Sequence, residues 1–240
     1  MALEALREAV RPIGADAILQ LLVSTALVAV VLLIARWRGA GLGDDPVKAY
    51  VRGLLQVLAM GLLLAAMLSL HAGWAGPILL LMCAAAAGIS MKRAGAHRAG
   101  LFWMAWASIT TGTALTVAAM LAMGALEPTI RDLVPVGSIV IATCMRTASL
   151  AFERFDREAA SGHDAAAPAV QASLIPAIDG MRSLGLVWIP GIMTGLVLAG
   201  ASPVRAAVLQ FVVIAVGFVA AAVTSLSLTR SLSAAQAEAT

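Results

Sequence analysis

The sequence predicts an all-α fold, a polytopic membrane bundle of about seven transmembrane helices, each needing about 20 apolar residues to span. Three observations predict it. Hydrophobic residues make up 61% of the chain, charged residues only 12%, and the mean hydropathy is +0.96. A soluble domain carries about 25% charged residues, so this chain cannot clothe a watery surface. The apolar residues fall in consecutive long runs, and the charges fall mainly between them.

Taken in order, the spans are placed at Asp16–Ala35, Val51–Leu70, Trp74–Ser90, Gly100–Gly124 and Leu133–Phe152. A polar, Ala-rich stretch at 153–173 follows. The sixth span lies within Leu174–Gly200, interrupted by Asp179, Arg182 and Pro190, and the seventh is Pro203–Thr229. Residues 16–230 are read as one transmembrane domain, and 231–240 as a cytoplasmic tail. Before the first span, Leu3, Leu6 and Val10 recur at helical spacing with Glu4, Arg7, Glu8 and Arg11 on the other faces. That pattern reads either as a short helix on the membrane surface over residues 1–15 or as a frayed end. The early glutamates and the lack of a small-residue cleavage site argue against a signal peptide.

The basic residues orient the bundle. Arg36, Arg38, Lys48, Arg52, Lys92, Arg93, Arg98, Arg146, Arg154, Arg157, Arg182 and Arg230 are assigned to one side, twelve of the 16 Lys and Arg. The positive-inside rule then predicts the N-terminus outside and the C-terminus in the cytoplasm.

Composition also excludes function classes. Aromatics are sparse and there is no basic stripe, so nucleic-acid binding is not expected. Cys83 and Cys144 sit in apolar runs without metal-ligand spacing and read as buried small hydrophobes. His71, His97 and His163 are scattered in connections, so no metal site is predicted. Eleven methionines invite a soft-metal reading, but most read as packing residues, and Met193 alone lies in an unusual setting. No nucleotide-binding motif is present, so the chain is not expected to be an enzyme and carries no cofactor of its own.

The unusual setting is Ser173–Gln210. Pro176 precedes a charged pair, Asp179 and Arg182, on one helix face; Pro190-Gly191 follows, then Gly200 and Pro203. Proline removes an intrahelical bond and glycine loosens the backbone. A broken helix at membrane depth is tolerated only where protein or a watery cavity satisfies the freed groups. Gly191 and Gly195 also form a small-xxx-small pattern that suits tight bundling.

Ile175, Pro176, Asp179, Gly185, Leu186, Val187, Pro190, Gly191, Met193, Thr194, Gly195, Gly200, Pro203, Ala206 and Gln210 together resemble the signature of the FetB-type ABC-transporter permeases, bacterial proteins linked to iron export with plant relatives linked to aluminium tolerance. Arg52 and Gln56, the Lys92-Arg93 pair and the Pro135-Val-Gly-Ser138 region extend the resemblance, which covers about Asp16–Thr229. It implies a multi-pass subunit of the bacterial inner membrane. That subunit would pair with a second copy of itself and with a separate ATP-binding subunit that holds ATP and Mg. The implied function is movement of a small solute, such as a metal ion or metal complex, with export favoured. The stretch 153–173 would be the cytoplasmic segment coupling to the ATPase.

Coupling or gating is expected of Arg154, Arg157, Pro176, Asp179 and Arg182, and a transport path of Gln56, Thr143, Pro190, Gly191, Met193 and Gly195. Arg52 is expected to anchor at the interface; contact with headgroups, the ATPase or a neighbouring helix is the other reading of Arg52 and Gln56. Asp179 and Arg182 read equally as a structural ion pair. Three departures stand out. Thr143 replaces the family's asparagine, and Ile192-Met193 replaces its paired methionines. The coupling stretch also lacks the family's basic helix. That motivates an alternative: a non-transporting scaffold, sensor or immunity protein built on the same fold. A gradient-driven carrier is disfavoured, because no carboxylate lies in the middle of the first five spans.

Overall fold

The computed structural model describes residues 14–39, 45–68, 70–92 and 100–239. The surface helix expected at 1–15, and Arg93, His97 and Arg98 of the third connection, lie outside the described residues. All regular elements described are helical: α1 (Ala15–Trp37), α2 (Asp45–Leu68), a 3-10 turn (Ala72–Trp74), α3 (Ala75–Met91), α4 (Leu101–Ala122), α5 (Ile130–Ala160), α6 (Ala166–Ser183), α7 (Gly191–Leu198) and α8 (Pro203–Ala239). Among the described residues, five stretches are long and apolar enough to cross a membrane: Ala15–Trp37, Ala72–Met91, Leu101–Ala122, Ile130–Ala160 and Pro203–Glu238.

The chain divides into two compact units, residues 1–70 and 71–240. In the first, α1 buries none of its residues. A helix apolar on every side and uncovered by protein needs lipid around it. Thr25 of α1 donates to Leu21 O (2.7 Å) and therefore accepts from the Tyr50 hydroxyl of α2 (2.7 Å).

In the second unit, α5 packs against α3, α6 and α8, while α4 packs chiefly on α8. The core is built from small and medium side chains: Cys83, Ala86 and Ala87 of α3, Ala105 and Ile109 of α4, Val140, Cys144, Ala148 and Phe152 of α5, and Ala220 and Leu228 of α8. Small residues let backbones approach, which is the main source of helix affinity in lipid. The backbones come close at Gly112, where a Cβ would meet the Thr224 hydroxyl and lie 2.7 Å from Ala220 O. Hydroxyls supplement it. Thr224 donates to Ser108 O (3.3 Å) and Thr116 to Val216 O (3.4 Å). Ser173 donates to Val170 O, so Ser225 supplies the proton of the 2.7 Å Ser173–Ser225 bond.

Several helices differ from their expected extents. α2 starts six residues before Val51 and α5 runs eight residues past Phe152. Arg154–Glu158 and Arg157–Glu153 pairs at 2.6 Å support that extension. The polar stretch 153–173 is thus mostly helix, turning only at Ser161–Ala165, where Gly162 takes φ +74°. Arg146, assigned to a connection, lies inside α5. α8 continues to Ala239, well past Thr229. The sixth span is divided. Its break opens at Leu184-Gly185 rather than at Pro190, because α6 ends at Ser183 and Gly185 takes φ +75°. Pro190-Gly191 instead restarts the chain as the N-cap and first residue of α7. Gly191 and Gly195 make no close approach, since a Cβ on either meets nothing within 4 Å among the described residues.

Candidate functional site

The break is a sequence of caps. Val187 N and Trp188 N both donate to Ser183 O (3.0 and 3.1 Å), and Gly185 N donates to Trp188 O (3.0 Å). These bonds close a tight turn that satisfies the end of α6, as a broken span requires. Pro190 is buried, and its carbonyl accepts from both the Thr194 N–H and the Thr194 hydroxyl, each at 3.2 Å. Met193 N donates to the side-chain oxygen of Gln210 at 3.3 Å. Gln210, only 4% exposed on α8, therefore caps α7 from outside the helix. At the other end Gly200, with φ +91°, forms a Schellman cap: Ala201 N reaches Leu196 O (2.9 Å) and Gly200 N reaches Val197 O (3.0 Å). The recognisable spacing Gly185…Pro190-Gly191…Gly200…Gln210 is thus a set of backbone requirements.

This capped turn walls a cavity of about 310 Å³. α5 contributes Ile139, Val140, Thr143, Arg146 and Thr147; α6 contributes Pro176, Ala177 and Gly180; α8 contributes Val213, Ile214, Gly217 and Phe218; and Trp188 comes from the turn itself. Among the described residues, its walls are apolar apart from the Arg146 guanidinium, the Thr143 and Thr147 hydroxyls and the Trp188 indole N–H. Thr143 donates to Ile139 O (3.0 Å) and accepts from Arg146 (3.3 Å). The threonine thus fixes the guanidinium while using one of its five N–H donors. Arg146 is the only charge between Leu133 and Phe152. At 1.5 Å per residue it lies about 9 Å inside the end of that run. A basic side chain at membrane depth costs up to about 3 kcal/mol on insertion scales, and among the described residues no carboxylate pairs with it.

Of the residues singled out from the sequence, Thr143 and Pro176 meet in this cavity, and Trp188 joins them. Pro190, Gly191, Met193 and Gly195 shape the adjoining α7 through backbone bonds. Asp179 and Arg182 form an exposed ion pair at 3.4 Å beside the cavity. Arg154 and Arg157 are held by glutamates of their own helix. Arg52 and Gln56 line a separate groove on α2 with Lys48 and Leu55, inside the first unit. Among the described residues no three His, Cys, Asp or Glu side chains gather to hold a metal. Two residues of the candidate site were missed. Gln210 stood in the motif without a role, and Arg146 was counted as a connection charge; its isolation in a 20-residue apolar run was the signal.

Comparison with known proteins agrees with the sequence signature. The family described as the uncharacterised protein family UPF0014 matches residues 18–235. A UPF0014 membrane protein of Synechocystis is 31% identical over 78% of this chain and 81% of its own length. The probable iron export permease protein FetB of Escherichia coli is 26% identical, over 78% and 79%. The ALUMINUM SENSITIVE 3 protein of Arabidopsis thaliana is 25% identical, over 86% and 83%. No solved structure matches. The chain belongs to the UPF0014 family of membrane proteins.

Proposed function

We propose that this chain is the permease subunit of an ABC-type transporter, with seven spans, its N-terminus outside and its C-terminus in the cytoplasm of a bacterial plasma membrane. Two copies would work with two ATP-binding subunits carrying ATP and Mg, and export is the favoured direction. The observation that carries this reading is the cavity walled by the broken segment: α6, the capped turn and α8 surround a space that a rigid continuous helix would not leave. The relation to a probable iron export permease supports it. The helical hairpin around Ser161–Ala165 is the element proposed to dock on the ATPase. Closure of the ATPases would pull on α5 and α6, the two helices that supply Thr143, Arg146 and Pro176 to the cavity.

The test is co-purification with a P-loop ATPase in mild detergent, followed by ATPase assays in liposomes with candidate solutes. Solute-stimulated turnover that is lost when 153–173 is replaced by a short linker is the expected result. Turnover indifferent to that replacement would sink the coupling assignment. The alternative, a non-transporting scaffold or sensor, has one observation in its favour. Arg154 and Arg157 are already engaged by Glu158 and Glu153, so the hairpin does not present a free basic surface. Absence of any ATPase in the pulldown would favour that reading.

A further inference from the structure

We infer that the cavity between α5, α6 and α8 is an oxyanion site: Arg146 receives a phosphate or carboxylate group, and the walls around Trp188 and Phe218 receive an apolar body.

Three features converge. Among the described residues, the only charged side chain lining the cavity is a guanidinium, and no carboxylate, imidazole or sulfur side chain lines it. A bare divalent metal prefers those missing ligands and is repelled by the guanidinium. Arg146 is also held, although its side chain is exposed. Its bond to Thr143, whose own proton is committed to Ile139 O, leaves the remaining N–H donors for a partner, and a planar fork of donors matches an oxyanion. Finally, the charge lies inside the apolar run of α5 with no counter-charge among the described residues, a placement that a bound anion would neutralise. The inference deepens the permease reading. The solute would be an anion, or a metal carried inside an anionic complex.

The experiment uses the full chain, purified without any ATPase in a neutral maltoside detergent at fixed ionic strength. Phenyl phosphate, phenol and Fe(II) chloride are titrated while tryptophan fluorescence is followed, with Trp188→Phe identifying the cavity signal. Phenyl phosphate is expected to bind saturably, inorganic phosphate and citrate to compete, and neutral phenol to produce no saturable change. Arg146→Gln should weaken binding at least about tenfold, the usual effect of losing a charge-assisted bond. Thr143→Val, which keeps the charge but frees its direction, should weaken it less. Equal binding of phenol and phenyl phosphate by the wild type overturns the site even if Arg146→Gln fails to fold. So does unchanged affinity in a folded Arg146→Gln, or Arg146-dependent binding of Fe(II) alone. Native mass spectrometry separates the two sources of oxyanion. Displacement of retained phospholipid by phenyl phosphate supports a solute site. A phospholipid that depends on Arg146 and resists displacement assigns the guanidinium to a headgroup and overturns the solute assignment. Because no ATPase is present, failure here leaves the permease reading untouched, and failure to find an ATPase leaves this site untouched.

Discussion

The α4–α8 contact and the segment from Leu184 to Gln210 are both rich in glycine and small residues, yet they use them in opposite ways. At the contact, smallness is the point: Gly112 admits the α8 backbone at Ala220, and Thr224 adds a hydroxyl bond to Ser108 O. In the segment, what matters is conformation. Gly185 and Gly200 adopt positive φ, where a Cβ would be strained, but each faces open space. One region packs helices together, and the other holds them apart around a cavity while satisfying the loose ends. Glycine spacing alone does not say which job is being done.

The comparison breaks most sharply at Gly112. Gly112→Ala places a methyl against a backbone carbonyl that cannot move unless α8 moves, so it should cost about 1–3 kcal/mol, the usual range for overpacking. Gly137→Ala is the control. Its Cβ would meet the Leu79 side chain, whose nearest methyl lies at 2.6 Å and can rotate, so the loss should be markedly smaller. Gly195→Ala meets nothing within 4 Å and should leave stability unchanged or raise it by up to about 1 kcal/mol, the helix propensity of Ala over Gly. Thermal unfolding in detergent, followed by tryptophan fluorescence, orders the three. Equal gains at all three would show that these positions answer to helix propensity, in which Ala exceeds Gly by about 1 kcal/mol, and not to packing.

The segment responds differently. Gly200→Ala forces a side chain into the left-handed region at a cost of about 1–2 kcal/mol. Gln210→Ala removes the cap on Met193 N and should cost about 1 kcal/mol. Neither touches the helix core, so both effects should be local. Limited proteolysis near Leu186 and Trp188 should speed up severalfold, with the global transition shifted by only a few degrees. A uniform loss of the whole fold would instead make the segment part of the packed core.

Much of this was legible in the sequence, and the misses share a cause. Hydropathy finds the stretch that wants lipid, so α1 and α4 fell within about two residues of their observed ends. It does not find where a helix continues into water. α5 passes Phe152 because Glu153, Arg154, Arg157 and Glu158 pair at i,i+4, and α2 begins at Asp45-Pro46 although Lys48 and Arg52 depress the local average. The break was visible in Pro190, the loudest residue. It actually begins at Gly185, whose positive φ has no mark that separates it from the helical Gly180. Averaging also hid Arg146, one charge among nineteen neutral residues from Leu133 to Phe152.

The smallest effect is expected at the pair first singled out for coupling. Asp179 and Arg182 are spaced i,i+3 on the last turn of α6 at 3.4 Å, with side chains 60% and 77% exposed. An exposed pair of this kind contributes about 0–1 kcal/mol, so Asp179→Asn should barely move the unfolding transition. That near-neutrality makes the pair informative. A core residue cannot be changed without moving both stability and activity, whereas here the two readouts separate. If Asp179→Asn leaves the transition in place but reduces solute-stimulated ATPase turnover in the reconstituted complex, the charge acts on the movement of α6 beside the cavity. If turnover is also unchanged, the pair is a surface contact, and the coupling must run through α5 and the hairpin at Ser161–Ala165 instead.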